Sequence, residues 1–179
     1  MLLERQISQF QEEGFLVIND VFAMDEVEAL REAAASPEIM SEAEELGNRE
    51  QTVHMLNITT KHPDFLNLAK ESRITDRVAD LIGPDLQLHH SKLATKPTVK
   101  GKGSLFWHQD LEFFPHTNTD LVTVMVMPDD TTPENGCMQM VRGSHKLGLL
   151  NYWRDGYFAY VCQEEDQWAP ESKIAEITP

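Results

Sequence analysis

The sequence predicts an α+β fold, with a helical N-terminal layer followed by strands that assemble as a sheet sandwich or barrel. Three observations predict it. Apolar residues recur at helical spacing up to Gly83-Pro84. Beyond that point the character changes, and short runs rich in strand formers take over. Turn residues, Asn135-Gly136 above all, separate those runs.

Leu3, Ile7 and Phe10 share a helical face and Gly14 follows as a C-cap, so a short amphipathic helix opens the chain. "FLVI", Phe15 to Ile18, reads as a short strand. "MDEVEALREAAAS" reads as a helix with Asp25 at the N-cap, Glu28 three residues on and Pro37 ending it. The acidic "SEAEELGNREQ" is a solvated helix or loop. "FLNLAKESRITDRVADLIG" again has helical periodicity and stops at Gly83-Pro84. "LQLHHSKLATK" alternates loosely, as a strand does, and "KPTVKGKGS" is a turn or loop. "LVTVMVM" is a continuous apolar run, expected of a buried strand. "TTPENGC" is a turn and "CMQMV" a further strand.

The 179 residues suit one domain, or a piece of a larger one, and 41% apolar content suffices for a core. Lys and Arg number 15 against 30 Asp and Glu, a formal net charge of −15. Such a chain does not hold a nucleic-acid backbone over a broad surface, and it is poorly suited to an anionic membrane face. Cys137 and Cys162 form neither a disulfide framework nor a CxxC knuckle. "MLLERQ" has no basic n-region or apolar h-region, and no stretch approaches a membrane span. The expectation is a cytoplasmic protein of a reducing compartment.

The chemistry concentrates in "SLFWHQDLEFFPH", Ser104 to His116. On a strand, His108 and Asp110 would project from one face. With 7 His and 12 Asp in the chain, about 0.5 His-x-Asp pairs arise by chance, so the bare motif does not separate a metal site from an accident. Two such ligands and a distant His make a 2-His-1-carboxylate facial triad, which leaves room on Fe(II) for a bidentate 2-oxo acid and O₂. The same donors with another His also suit a zinc hydrolase.

The surroundings carry more. "HHSKLATKP", then "GKGSLFWHQDLEFFPH", then "DLVTVMVMPDDTTPENGCMQMVRGSH", together with the opening "FQEEGFLVINDVF", resemble the phytanoyl-CoA dioxygenase family of Fe(II)/2-oxoglutarate oxygenases. The resemblance implies N-terminal helices packed on a double-stranded β-helix of jelly-roll or cupin type. Residues 1–84 would be the helical layer and 85–179 the first part of the jelly-roll, within one domain, 1–179. It implies Fe(II), 2-oxoglutarate, O₂ and a small organic or acyl substrate, with release of succinate and CO₂. His108 and Asp110 match the first two iron ligands, and Lys96 matches a lysine that contacts 2-oxoglutarate. Lys92 and Met125 fall at other cosubstrate-pocket positions, Met125 where an aromatic is common. Asn135 and Gly136 set a turn, Arg142 to His145 fix a loop at the mouth, and His116 lines a loop or contacts substrate. His54, His62, His89 and His90 carry no assignable chemistry. Lys100 and Lys102 belong to a solvated basic loop, with a thioester phosphate as the alternative partner. Asp110 fills the position a halide would need, which argues against halogenation.

The departure concerns the third ligand. The family places a late His there and follows it with an Arg for the far carboxylate of 2-oxoglutarate. The chain reaches "ESKIAEITP" before that segment. The expectation is therefore a domain incomplete at its C-terminus and catalytically silent alone. The rivals are a metal-free jelly-roll binding module and a zinc hydrolase.

Overall fold

The computed structural model describes residues 1–46, 52–96, 106–114 and 116–178. Helix α1 (Glu4–Glu13) follows the predicted period and closes at Gly14, whose φ of 88° suits glycine and whose N–H donates to Phe10 O. A side chain there would also meet the His145 ring, which would have to move to admit a Cβ. Phe15 to Ile18 form no strand; no ladder partner is present among the described residues, and Phe15 instead lies under the Arg142 guanidinium. Helix α2 (Met24–Ala34) is capped two residues earlier than expected. Ala23, not Asp25, is the N-cap, and its N–H is met by the Glu26 carboxylate at 2.8 Å. Pro37 opens helix α3 (Pro37–Leu46) rather than closing α2, since its fixed φ suits the first helical position. The acidic run is thus helical to Leu46, and residues 47–51 lie outside the described residues.

The core forms where α2 and α3 meet strand β1 (Val53–Leu56), which the sequence pattern did not reveal. Ala33, Ile39, Met55, Ile58 and Phe65 are buried together, with Val53 and Leu93 against them. β1 pairs antiparallel with β2 (Lys92–Thr95), Met55 opposite Leu93 and His54 opposite Ala94. Strand alternation sends Val53, Met55 and Leu93 to the core. His54, Leu56, Lys92 and Ala94 share the other face. The long periodic segment is two helices, α4 (Pro63–Ala69) and α5 (Ser72–Ile82), broken at Lys70-Glu71, where the Glu71 side chain caps α5.

Helix α6 (Asp110–Phe113) begins at the second residue of the His-x-Asp pair, so this motif does not sit on a strand. "LVTVMVM" forms none either: it has no strand partner among the described residues, and Val124 and Met125 are each 47% exposed. β3 (Met138–Val141) occurs as expected and pairs antiparallel with β6 (Ile174–Ile177). Between them lie a small hairpin of β4 (Trp153–Arg154) and β5 (Tyr157–Phe158), and helix α7 (Glu165–Trp168). The result is a mixture of helix and sheet, with three separate two-stranded sheets and no closed barrel among the described residues. Residues 97–105, with Lys100 and Lys102, lie outside the description.

Candidate metal centre

His108 and Asp110 come together without a strand ladder. Gln109 between them is extended, with φ −113° and ψ 127°, and this alone keeps its two neighbours on one side. His108 Nδ1–H donates to Phe106 O at 2.8 Å, a carbonyl being able only to accept. That leaves Nε2 turned toward Asp110 Oδ1, 3.5 Å away. The other carboxylate oxygen, Oδ2, accepts from Thr123 Oγ1–H at 2.7 Å. Each outer atom is thus tied back while one nitrogen and one oxygen converge.

The electrostatics follow from this geometry. The hydrogen bond to Asp110 raises the pKa of His108 against the opposing effect of burial. Asp110 is held well below the usual carboxylate range, first by His108, then by Thr123 and the charge of Lys92, burial opposing. Lys92 also lowers His54, behind burial, and His90, behind burial and the neighbouring His89. His54 feels His108 as well. His54 and Lys92, on the solvent-side face of the β1–β2 pair, are thus near enough to the His108–Asp110 pair for their charges to act on it.

The donor set fits a divalent metal. A separation of 3.5 Å is less than twice a ~2.1 Å metal–ligand distance, so one ion reaches both atoms. Imidazole nitrogen with a carboxylate oxygen suits Fe(II) or Zn(II). Among the described residues no third His, Cys, Asp or Glu joins them. His145 Nε2 lies 3.1 Å from Gln11 O, and with Arg142, bonded to Glu13 at 2.5 Å, it holds the end of α1. His116 packs on His89, whose Nδ1 is 2.8 Å from that of His90, and Phe114 lies against both. His62 accepts from Asp64 N–H at the start of α4. Lys96 turns away: its Nζ donates to Gly136 O in the 132–136 turn. Met125 is half-exposed on the segment that carries Thr123. A cavity of about 70 Å³ behind His108 and Gln109 is far below the ~300 Å³ and more of small-molecule sites. Thr123, Gln109 and His54 were not legible as site residues. The one available signal was Thr123, the sole polar residue in "LVTVMVM".

The family model for phytanoyl-CoA dioxygenase (PhyH) matches residues 10–176. The chain belongs to that family. Within it, an ectoine dioxygenase of Sphingopyxis alaskensis is 28% identical, over 97% of this chain and 60% of that protein. A probable alpha-ketoglutarate-dependent hypophosphite dioxygenase of Stutzerimonas stutzeri is 30% identical, over 82% of this chain and 54% of that protein. An ectoine dioxygenase of Streptomyces anulatus is 23% identical, over 94% and 61%. The chain thus spans about 60% or less of the length of these relatives. No solved structure matches it. No helix among the described residues is long and apolar enough to cross a membrane.

Proposed function

We propose that this phytanoyl-CoA dioxygenase family chain is the metal- and cosubstrate-holding portion of an Fe(II)/2-oxoglutarate-dependent dioxygenase that hydroxylates a small organic or acyl substrate. The observation that supports it most is the convergence of His108 Nε2 and Asp110 Oδ1 at 3.5 Å, with Nδ1 and Oδ2 tied back to Phe106 and Thr123. When bound, Fe(II) with 2-oxoglutarate and O₂ supplies the oxidising chemistry that releases succinate and CO₂ and hydroxylates a C–H bond. His108 offers a neutral nitrogen at Nε2 while its remaining proton stays on Nδ1, donated to Phe106 O. Asp110 offers one oxygen, because Thr123 retains the other, and this leaves positions open for other ligands. The proton shared by the pair in the metal-free protein leaves on binding, so affinity falls in acid. Lys92 brings positive charge to the face where a 2-oxo acid dianion would sit. Lys96, four residues on, and Met125 complete the proposed cosubstrate contacts, Lys96 after release from Gly136.

A third ligand His, an Arg for the far carboxylate and the strands completing a double-stranded β-helix are assigned to the part of the relatives' length that this chain does not span. The names of those relatives point to ectoine and hypophosphite, both small and polar, which supports a small-molecule substrate and leaves its identity open.

The test is metal titration of the chain and its variants. His108→Ala and Asp110→Ala should each lose most Fe(II) or Mn(II) binding. Full retention by Asp110→Ala would overturn the assignment. A preference for Zn(II), with hydrolysis and no need of a 2-oxo acid, would favour the hydrolase instead.

A further inference from the structure

Gln109, the residue between the two candidate ligands, is gripped at all four of its polar groups by one short segment, 148–152. Its Nε2 donates to Gly148 O at 2.9 Å and its Oε1 accepts from Leu150 N–H at 2.9 Å. Its backbone N–H donates to Tyr152 Oη, and the Tyr152 hydroxyl donates to Gln109 O at 3.3 Å.

The gripping segment is itself held. Tyr152 is 1% exposed and its ring stacks on Phe158 at 5.5 Å, with Phe113 edge-on at 6.0 Å. Tyr152 O accepts from Ala159 N–H, and Asn151 O from Gln163 N–H. On the near side, Trp107 O accepts from Cys162 N–H, and Trp107 Nε1 donates to Glu165 at 2.9 Å.

The backbone torsions of Gln109 lie on the path that separates His108 from Asp110. In a ladder-bound strand, neighbouring strands would hold those torsions. Here residues 106–109 belong to no strand, and side-chain and main-chain bonds from 148–152 take over that task. The hydrogen bonds of Gln109 and Tyr152 run to each other, to Gly148 and to Leu150, not to His108 Nε2 or Asp110 Oδ1, so any effect on metal passes through the placing of those two ligands. We propose that Gln109 and Tyr152 are positioning residues that set the spacing of His108 Nε2 and Asp110 Oδ1 and thereby the affinity of the site for a divalent metal. This rests on the reading of His108 and Asp110 as metal ligands.

The experiment is Mn(II) titration of the 179-residue chain followed by electron paramagnetic resonance, with circular dichroism as the check on folding. The variants are Gln109→Met, which keeps the length and removes both polar ends, Tyr152→Phe, which removes one oxygen, and His108→Ala. Outer-shell supports of metal ligands are typically worth 10–100-fold in affinity. Gln109→Met and Tyr152→Phe should therefore keep their dichroism, bind Mn(II) at least about ten-fold more weakly, and alter the line shape of the bound ion. If Gln109→Met fails to fold, Tyr152→Phe decides. Wild-type affinity and line shape in these variants, with binding lost in His108→Ala, would overturn the positioning roles and leave the metal reading standing. Unchanged binding in His108→Ala, or no binding by the wild-type chain up to millimolar Mn(II), would overturn the metal reading and this inference with it.

Discussion

Thr123 shows how one hydroxyl sets the behaviour of a ligand. Its bond to Asp110 Oδ2 at 2.7 Å leaves Oδ1 as the free donor, and hydrogen bonds to charged groups are among the stronger ones in proteins, about 1.5–3 kcal/mol. Thr123→Val keeps the shape and removes the donor. It should weaken Mn(II) binding by roughly ten-fold with little change in thermal stability, because Thr123 is exposed. Thr123→Ser, which keeps the hydroxyl, should restore most of the affinity. Equal affinity in all three proteins would remove Thr123 from the site. The His-x-Asp pair was legible because its geometry needs only one extended residue between the ligands. Thr123 lies 13 residues from Asp110, and no local period announces that contact.

Among the elements, α5 is pinned to α2 by charge. Arg73 pairs with Glu26 at 2.6 Å and with Glu71 at 3.0 Å, donates to Val21 O at 3.2 Å, and lies over the Phe22 ring. Glu26 is lowered from 4.5 to about 2, chiefly by Arg73 and next by Ala23 N–H. Glu71 is likewise lowered to about 2, chiefly by Arg73. A lowered folded-state pKa contributes stability that is present above the unfolded value and lost as pH falls through the folded one. The urea midpoint should therefore fall between about pH 4.5 and pH 2. Arg73→Leu should flatten that part of the curve. The groups are solvent-accessible, so the effect should shrink in 0.5 M salt. An unchanged acid limb in Arg73→Leu would show that this cluster does not couple to folding.

Across the whole molecule, the N-terminal helices hold distant parts of the chain. Arg31 on α2 donates to Pro128 O at 2.6 Å and to Asp129 at 2.9 Å. Gly143 N–H donates to Glu13 O at 2.8 Å. These ties anchor the chain just after the Thr123 segment and at the 142–145 loop without closing a barrel. Phe106, Trp153, Tyr157 and Tyr160 stay 60–78% exposed, and apolar surface of this kind drives association. Sedimentation velocity should show self-association that grows with concentration; a monomer at all concentrations would contradict this. With two candidate ligands among the described residues, the chain alone should form no succinate from 2-oxoglutarate after anaerobic iron loading and exposure to O₂. Turnover abolished by His145→Ala or His116→Ala would show that it carries its own third ligand.

The sequence by itself determined whatever depends on neighbours a few residues apart: α1 with its Gly14 stop, α2, the strand at Met138, and the proximity of His108 to Asp110. Local spacing sets each of these, and the family motifs around them were readable for the same reason. Tertiary structure decided what depends on a distant hydrogen-bond partner. "FLVI" and "LVTVMVM" have the composition of strands but no ladder partner among the described residues, whereas Val53–Leu56 became a strand because Lys92–Thr95 pairs with it. The same holds for the two lysines. Lys92 and Lys96 are equivalent by strand period. The strand ends at Thr95, so Lys96 bends to the carbonyl of Gly136 while Lys92 stays within the strand, where its charge acts on Asp110. A side chain's type follows from its codon, but the charge it meets follows from where the ladder stops.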